Sequence, residues 1–269
     1  MRNLPLRAVP VDPDARAEYA RWLDGLDARL RDPACDRYAL CREVLEDLYA
    51  PWLMGPSADS AGGRLTRLHL DARNVTLEPE YYDETDLERY DRVKPLIWMW
   101  EMFDRSPLGE NVELGVKFRR LLARRIFKRC GANFKAFHQV KLSFGYNLEV
   151  GDGVVVHRQV LLDDRGGIVL GDKVSISDFV NIYSHSHALD DPRDVNLATT
   201  VIERGVRVAY HATVLAGIRM HEYSMAGAGA LVTKDVPADT LVVGVPAKPL
   251  RDKGGRPRPG GRSDPLATE

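Results

Sequence analysis

The residues best suited to chemistry are two histidines in the segment Asn181-Ile-Tyr-Ser-His-Ser-His-Ala-Leu-Asp190. An imidazole, with an unperturbed pKa of ~6.5, takes up and returns a proton near neutrality, as a general base must. Side chains two apart on an extended segment point to one side, so His185 and His187 can face a common cleft. The same His-x-His spacing suits chelation of a zinc ion, and either histidine would also be at home in a solvated loop. His157, His211 and His221 are further candidates in the same half of the chain, and Asp163-Asp164 is an acidic pair between them. Cys35, Cys41 and Cys130 cannot all pair and match no zinc spacing, so they read as reduced thiols of a cytoplasmic protein.

Those residues need elements to position them. From Asp14 onward, Tyr19, Trp22, Leu23, Leu26 and Leu30 recur at helical intervals. A second helix is predicted from Asp36 to Tyr49, ending before Pro51 because proline cannot continue the hydrogen-bond ladder. Between Gly55 and Asp83 the chain is turn-rich, and Arg67-Leu-His-Leu70 predicts a short strand. A third helix includes Leu96 to Phe103, and a fourth spans Val112 to Arg129 with Leu114, Phe118, Leu121, Leu122 and Ile126 on one face. The opposite face carries Lys117, Arg119, Arg120, Arg124, Arg125 and Lys128, and reads as solvated charge, with a subunit or phosphate contact as the alternative.

From Lys141 a different period takes over. Small or aliphatic residues fall in pairs two apart, and the pairs recur every six residues. The first series is Leu142/Phe144, Leu148/Val150, Val154/Val156 and Val160/Leu162. After a slip at Arg165-Gly-Gly it resumes as Ile168/Leu170, Val174/Ile176 and Val180/Ile182. A polar interruption from Tyr183 to Thr199 holds the two histidines, and six more pairs follow from Thr200/Ile202 to Ala230/Val232. Six residues drift off the helical repeat of about 3.6, whereas a triangular solenoid with short flat faces accommodates them. Gly145, Gly151 and Gly171 follow the second member of a pair, where a corner often needs positive φ, and Ala209 and Gly227 occupy the same slot.

Composition narrows the function. Of 269 residues, 38 are Lys or Arg and 39 Asp or Glu, for a net charge of −1. That balance excludes a protein that works by coating nucleic acid. The longest apolar run, Pro95 to Trp100, is far short of the ~20 residues of a membrane span. The first ten residues do not read as a signal peptide. Residues 1–130 are thus expected to form a helical region, 131–250 the solenoid, and 251–269, rich in Gly, Pro and Arg, a disordered tail.

Four segments carry a resemblance to the hexapeptide-repeat acyltransferases, most closely the maltose and galactoside O-acetyltransferase type. They are Phe144-Gly-Tyr-Asn147 with Leu148-Glu-Val-Gly-Asp152, Val160-Leu-Leu-Asp-Asp164, Asn181 to Asp190, and Ala226 to Pro237 continued by Val243-Gly-Val-Pro-Ala-Lys248. The resemblance implies a mainly β fold, a left-handed parallel β-helix with an α-helical N-terminal region, acting as a homotrimer with sites between subunits. It implies acetyl-CoA as donor and a small hydroxyl acceptor, a sugar or sugar-like molecule. His187 matches the family's catalytic base, while His157, Asp164 and His185 fall on the acceptor side. His157 stands where the family's sugar acetyltransferases generally have asparagine. Ala209, Tyr210, Gly227, Ala228, Thr233, Lys234 and Lys248 match positions along the coenzyme, with a backbone N–H near Ala209 or Tyr210 for the thioester oxygen. No metal is part of this reading.

Two other readings compete. Histidines 157, 185, 187 and 211 are numerous enough for a metal-dependent hydratase resembling the γ-type carbonic anhydrases. A non-catalytic trimeric scaffold, with the helical region doing the work, is the third.

Overall fold

A computed structural model describes residues 9–53, 59–188, 190–191 and 194–252. The expected tail lies outside the described residues except for Arg251 and Asp252, and so do the first eight residues, on which the signal-peptide reading rests.

Five helices come first. They are α1 (Pro13–Arg31), α2 (Arg37–Leu53), α3 (Ala61–Leu70), α4 (Leu87–Arg105) and α5 (Val112–Ile126). Side-chain caps start all five: Asp12, Asp36, Ser60, Asp86 and Asn111 each accept a first-turn backbone N–H. Three expectations are corrected. Helix α5 ends at Ile126 and not at Arg129, since Phe127 is already extended and Arg129 pairs with the next coil as a strand. Arg67–Leu70 closes α3 and is no strand, since only Leu70 of its two leucines is buried and Ser60 caps a continuous turn upstream. Helix α2 runs through Pro51 to Leu53, since one lost N–H near a helix end costs too little to stop the last turn.

The basic face of α5 is solvated only in part: Arg124 and Lys128 are exposed, but its middle is not. Arg119 and Arg120 are buried. Arg119 Nε donates to Asp104 Oδ1 at 2.8 Å, and Asp104 Oδ2 accepts the Gln139 N–H at 2.7 Å. Arg120 Nε donates to the Phe134 carbonyl at 2.7 Å. The two arginines therefore satisfy the open end of the solenoid, where backbone groups of the first coil would otherwise lack partners. Burial lowers the Arg119 pKa and raises that of Asp104, outweighing their mutual attraction on both sides.

The rest is a parallel β-helix of three faces. Face A contains β1 (Arg129–Cys130), β4 (Leu148–Val150), β7 (Ile168–Leu170), β12 (Thr200–Ile202) and β15 (Arg219–Met220). Face B contains β2 (Lys135–Ala136), β5 (Val155–Val156), β8 (Ser175–Ile176), β13 (Arg207–Val208), β16 (Met225–Ala226) and β18 (Thr240–Val243). Face C contains β3 (Lys141–Leu142), β6 (Leu161–Asp163), β9 (Asn181–Tyr183), β14 (Thr213–Val214) and β17 (Leu231–Val232). An antiparallel strand, β19 (Lys248–Asp252), closes face B. The inward pairs form one continuous core, with Val150, Val156, Leu162, Ile176, Val208 and Val214 all at 0% exposure. Each such side chain stabilises the fold by roughly 1.5–3 kcal/mol.

Register locates the irregularities. On face C, Lys141 pairs Leu161, Leu161 pairs Asn181, Asn181 pairs Thr213 and Thr213 pairs Leu231. The spacings are thus 20, 20, 32 and 18 residues. The surplus over 18 falls at 143–147, 163–167 and 183–199, always on the edge between faces C and A. The first slip is missing from the hexad reading, because Phe144 is apolar and buried and mimics a pair member while filling the corner. Of the corner glycines, Gly145 has φ +72°. Gly151 and Gly171 do not need positive φ; a Cβ there would lie 2.7 Å from the backbone nitrogen of Asp172 or Arg204 in the next coil. Coil stacking, and not turning, excludes a side chain at those two positions.

Candidate active site

The three insertions stack on one edge and build a small polar cluster. The largest projects as a hairpin, β10 (His185–His187) against β11 (Val195–Leu197), with His185 opposite Leu197 and His187 opposite Val195. Gly166 lets its base lie against the coil below, since a Cβ there would sit 2.2 Å from the Ser184 carbonyl oxygen. Ser184 Oγ accepts the Gly166 N–H at 2.9 Å and donates to the Asp163 carbonyl. The hairpin is therefore pinned at the point where it leaves the solenoid.

Asp163 ends β6 beside Tyr183. Its side chain is only 3% exposed. Ser143 Oγ donates to Oδ1 at 2.9 Å, and His185 Nδ1 contacts Oδ2. The His185 ring meets Tyr183 edge-on at 6.1 Å and His187 at 5.2 Å with an interplanar angle of 88°. His187 is exposed. The contact between the two imidazoles agrees with side chains two apart sharing one side of a strand. Next to them Arg165 turns away to Glu84 and lies 3.9 Å over the Tyr82 ring, so the segment before α4 borders this edge.

Asp164, expected on the acceptor side, is placed elsewhere. It is at 0% exposure, with Oδ1 accepting the Phe144 N–H at 2.7 Å and Oδ2 the Asn147 N–H at 3.1 Å. Burial pushes its pKa up to about 6, against the pull of those hydrogen bonds. Asp164 thus braces the first insertion from within and reaches no cleft. The carboxylate that meets His185 is Asp163, the other member of the acidic pair. The signal was present: Val160 and Leu162 point inward, so alternation puts Asp164 inward and Asp163 outward.

The other predicted residues lie mainly on the next edge, between faces B and C. His157 stacks flat on Phe137, with centroids 5.0 Å apart, and its Nδ1 is 4.0 Å from Asp178 Oδ1. Ala209 and Tyr210 follow β13, and Gly227 and Ala228 follow β16. The Ala209 N–H is already donated to the Ala226 carbonyl at 2.9 Å. Among the described residues nothing accepts the Tyr210 N–H, which leaves it as the donor available to an oxyanion. The half-exposed Tyr210 ring stands edge-on to Phe179 at 5.6 Å and to His211 at 4.5 Å. Thr233 and Lys234 return to the C–A edge after β17, and exposed Lys248 begins β19.

Two groups of candidates therefore sit on different edges of one prism, with face C between them. The chain brings together His185, His187 and Asp163, and it does not bring His157 or Tyr210 to them. The same division separates the four histidines of the hydratase reading, and no group of three or more metal-ligating side chains gathers among the described residues. No helix among the described residues is long and apolar enough to cross a membrane.

No protein-family model matches the chain. It is 33% identical over 112 residues to a putative acetyltransferase of Schizosaccharomyces pombe, a match covering 40% of this chain and 54% of that protein. To the galactoside O-acetyltransferase of Escherichia coli it is 26% identical over 141 residues, covering 51% and 70%. It spans about half the length of the curated relatives it matches, with 54%, 70% and 40% of the first three covered. A hexapeptide-repeat acetyltransferase of Vibrio cholerae, solved with acetyl coenzyme A, superposes with a TM-score of 0.55 at 25% identity, covering 67% of this chain and 97% of that one. A maltose O-acetyltransferase of Clostridium difficile gives 0.56 at 24% identity, a likeness of fold, covering 64% and 91%. The hexapeptide-repeat resemblance read from the sequence is met by these neighbours and by the β-helix itself.

Proposed function

We propose that this protein is an acyltransferase that moves an acetyl group from acetyl-CoA to a hydroxyl of a small acceptor, a sugar or sugar-like molecule, in the cytoplasm. The observation that carries the reading is the pinned hairpin presenting His185 and His187 beside buried Asp163, on a coil otherwise devoted to packing. Acetyl transfer to a hydroxyl needs a base at the acceptor oxygen and a donor at the thioester oxygen. A β10 histidine supplies the base, a role that the sequence motif gives to His187. The Tyr210 N–H supplies the donor. The bound acetyl coenzyme A of the Vibrio cholerae neighbour and the hydroxyl acceptor named for the Escherichia coli relative support donor and acceptor class.

Because base and oxyanion donor occupy different edges, the working site is formed between copies, the C–A edge of one chain meeting the B–C edge of the next in a threefold ring. Ala228, Gly227, Thr233, Lys234 and Lys248 then line the coenzyme, with the lysines toward its phosphates. His157, near Asp178, faces the acceptor from the second copy.

Calorimetric titration of acetyl-CoA, followed by a thiol-release screen of hydroxyl acceptors, tests the reading. Binding at about one site per chain with acceptor-dependent thiol release is the expected result; no binding at millimolar acetyl-CoA would sink it. Complementation tests the shared site. A His157→Ala chain and a His185→Ala/His187→Ala chain, each inactive alone, should regain about a quarter of wild-type activity when co-expressed, since about one interface in four is then intact. Activity that stays at the level of the separate variants would place the whole site within one chain.

A further inference from the structure

A cleft of about 330 Å³ opens where the end of α4 meets the first two coils. It is lined by Glu101 and Arg105 from α4, Gln139 and Gln159 from the B–C edge, and Lys141 and Leu161 from face C. The volume suits a small ligand, and a junction between structural units is a common place for one. We propose that this cleft holds the non-reacting part of the acceptor, and that this part carries a carboxylate or a phosphate. The acceptor is then an anionic sugar and not a neutral one. For its reaction this assignment rests on the acetyl-transfer reading and the site between copies, though not for binding.

Charge decides the ligand class. Four charged side chains border the cleft, and one of them, Asp104, is already held by the buried Arg119 guanidinium. Lys141 Nζ lies 2.6 Å and Arg105 Nη2 2.8 Å from the same Glu101 oxygen, Oε2. Two cations thus share one carboxylate, which leaves the cleft with one positive charge in surplus. The Lys141 and Arg105 side chains are 50% and 48% exposed, and that of Glu101 only 14%. An incoming ligand therefore meets mostly cationic surface. Arg105 also lies over Trp98, with its guanidinium carbon 5.2 Å from the ring centroid, which restricts its fork. A planar fork beside an ammonium suits a carboxylate or a phosphate.

The glutamines supply the hydroxyl contacts. Gln139 and Gln159 occupy one corner position in successive coils, with φ of +60° and +55°. A Cβ disfavours that conformation, and the same corner of the fifth coil takes Gly229. Internal hydrogen bonding does not explain the glutamines, since among the described residues neither carboxamide has a partner. Each offers two donor hydrogens and an acceptor oxygen, as the hydroxyls of a sugar ring require. The cleft is also within reach of the proposed site. His157 and Gln159 share the turn between β5 and β6, and neighbouring strands of one face are about 4.8 Å apart. One sugar ring can present a hydroxyl beside His157 with its anionic group against Lys141, one coil away.

Labelling of lysines in the full chain with N-hydroxysuccinimidyl acetate, quantified by peptide mass spectrometry, reads the cleft without any catalysis. Millimolar glucuronate or glucose 6-phosphate should slow labelling of Lys141 about tenfold more than glucose or inorganic phosphate does, the worth of one charge-assisted hydrogen bond. Exposed Lys173 is the internal control. Arg105→Gln, a half-exposed change, should abolish the protection. In thiol release with a protecting sugar as acceptor, Lys141→Gln should raise KM about tenfold with kcat within about threefold. Glucose that protects as well as its 6-phosphate overturns the anionic class, and labelling untouched by all four probes overturns the site. Protection by inorganic phosphate alone makes this a free-anion site and overturns its link to the acceptor. If an anionic sugar protects Lys141 but no acceptor releases thiol, the acetyl-transfer reading fails and the binding site stands. If glucose releases thiol and Lys141 is never protected, acetyl transfer stands and the binding site fails.

Discussion

Replacing Asp104 by alanine should be among the most damaging single changes outside the β-helix core. The carboxylate is 4% exposed and Arg119 is 1% exposed. Oδ1 receives Arg119 Nε at 2.8 Å, and Oδ2 receives the Gln139 N–H at 2.7 Å. Truncation leaves a buried guanidinium with only the carbonyls of Ala136 and Gly109, which costs roughly 3–5 kcal/mol. The orphaned Gln139 N–H adds about 1 kcal/mol or more. The total, on the order of 5 kcal/mol, corresponds to a Tm lowered by roughly 10–20 °C in a chain of this size. Differential scanning calorimetry measures it, with the exposed pair Arg16–Glu113 as comparison, where Arg16→Ala should cost under about 1 kcal/mol. Asp104→Leu combined with Arg119→Met should recover most of the loss, because an apolar pair of similar volume removes the uncompensated charge. A loss below about 1 kcal/mol for Asp104→Ala would refute the claim that this pair clamps the helical region to the first coil.

Asp164 makes stability depend on pH in an unusual direction. Its folded pKa of about 6 lies above the ordinary value of 3.8, so the fold favours the protonated form. Its contribution is intact below about pH 4 and is lost as pH rises through about 6, by on the order of 3 kcal/mol. Urea midpoints of wild type and Asp164→Asn, compared between pH 4 and 7, should converge at one end and separate at the other; parallel curves would contradict the assignment. Gly166→Ala pushes a methyl into the Ser184 carbonyl and shifts the hairpin base. Thiol-release kcat should fall about a hundredfold while acetyl-CoA binding, which draws on Tyr210, Gly227 and Ala228 of the B–C edge and on Thr233 and Lys234 away from the hairpin base, is retained. Tyr210→Pro removes the open N–H, and should lower kcat by ~10²–10³ with circular dichroism unchanged.

Much of the solenoid was legible because its rule is local. A six-residue period with alternate inward positions needs only small or aliphatic residues at fixed places, and twelve of the thirteen expected pairs are the inward pairs of the coils. Most helices were legible for the same reason, apart from the C-terminal ends of α2 and α5 and from α3, whose last turn reads as a short strand. What failed had no local signature. Phe144 fits a pair as well as it fits a corner, and only the register of Leu142 on Leu162 tells them apart.

The sequence by itself determined that a β-helix forms, where its polar interruption lies and which histidines that interruption carries. Parity along β6 also encoded that Asp163 and not Asp164 faces outward, although the acidic pair obscured it. Tertiary structure decided the rest. Three insertions far apart in the chain stack on one edge because successive coils repeat the same three corners, and that alone brings Ser143, Asp163 and His185 together. The burial of Arg119 and Arg120 was equally invisible, since a helix face is basic in sequence whether it meets water or the open end of a solenoid. Partners separated by many residues are chosen by packing, and packing is not written in any short window of sequence.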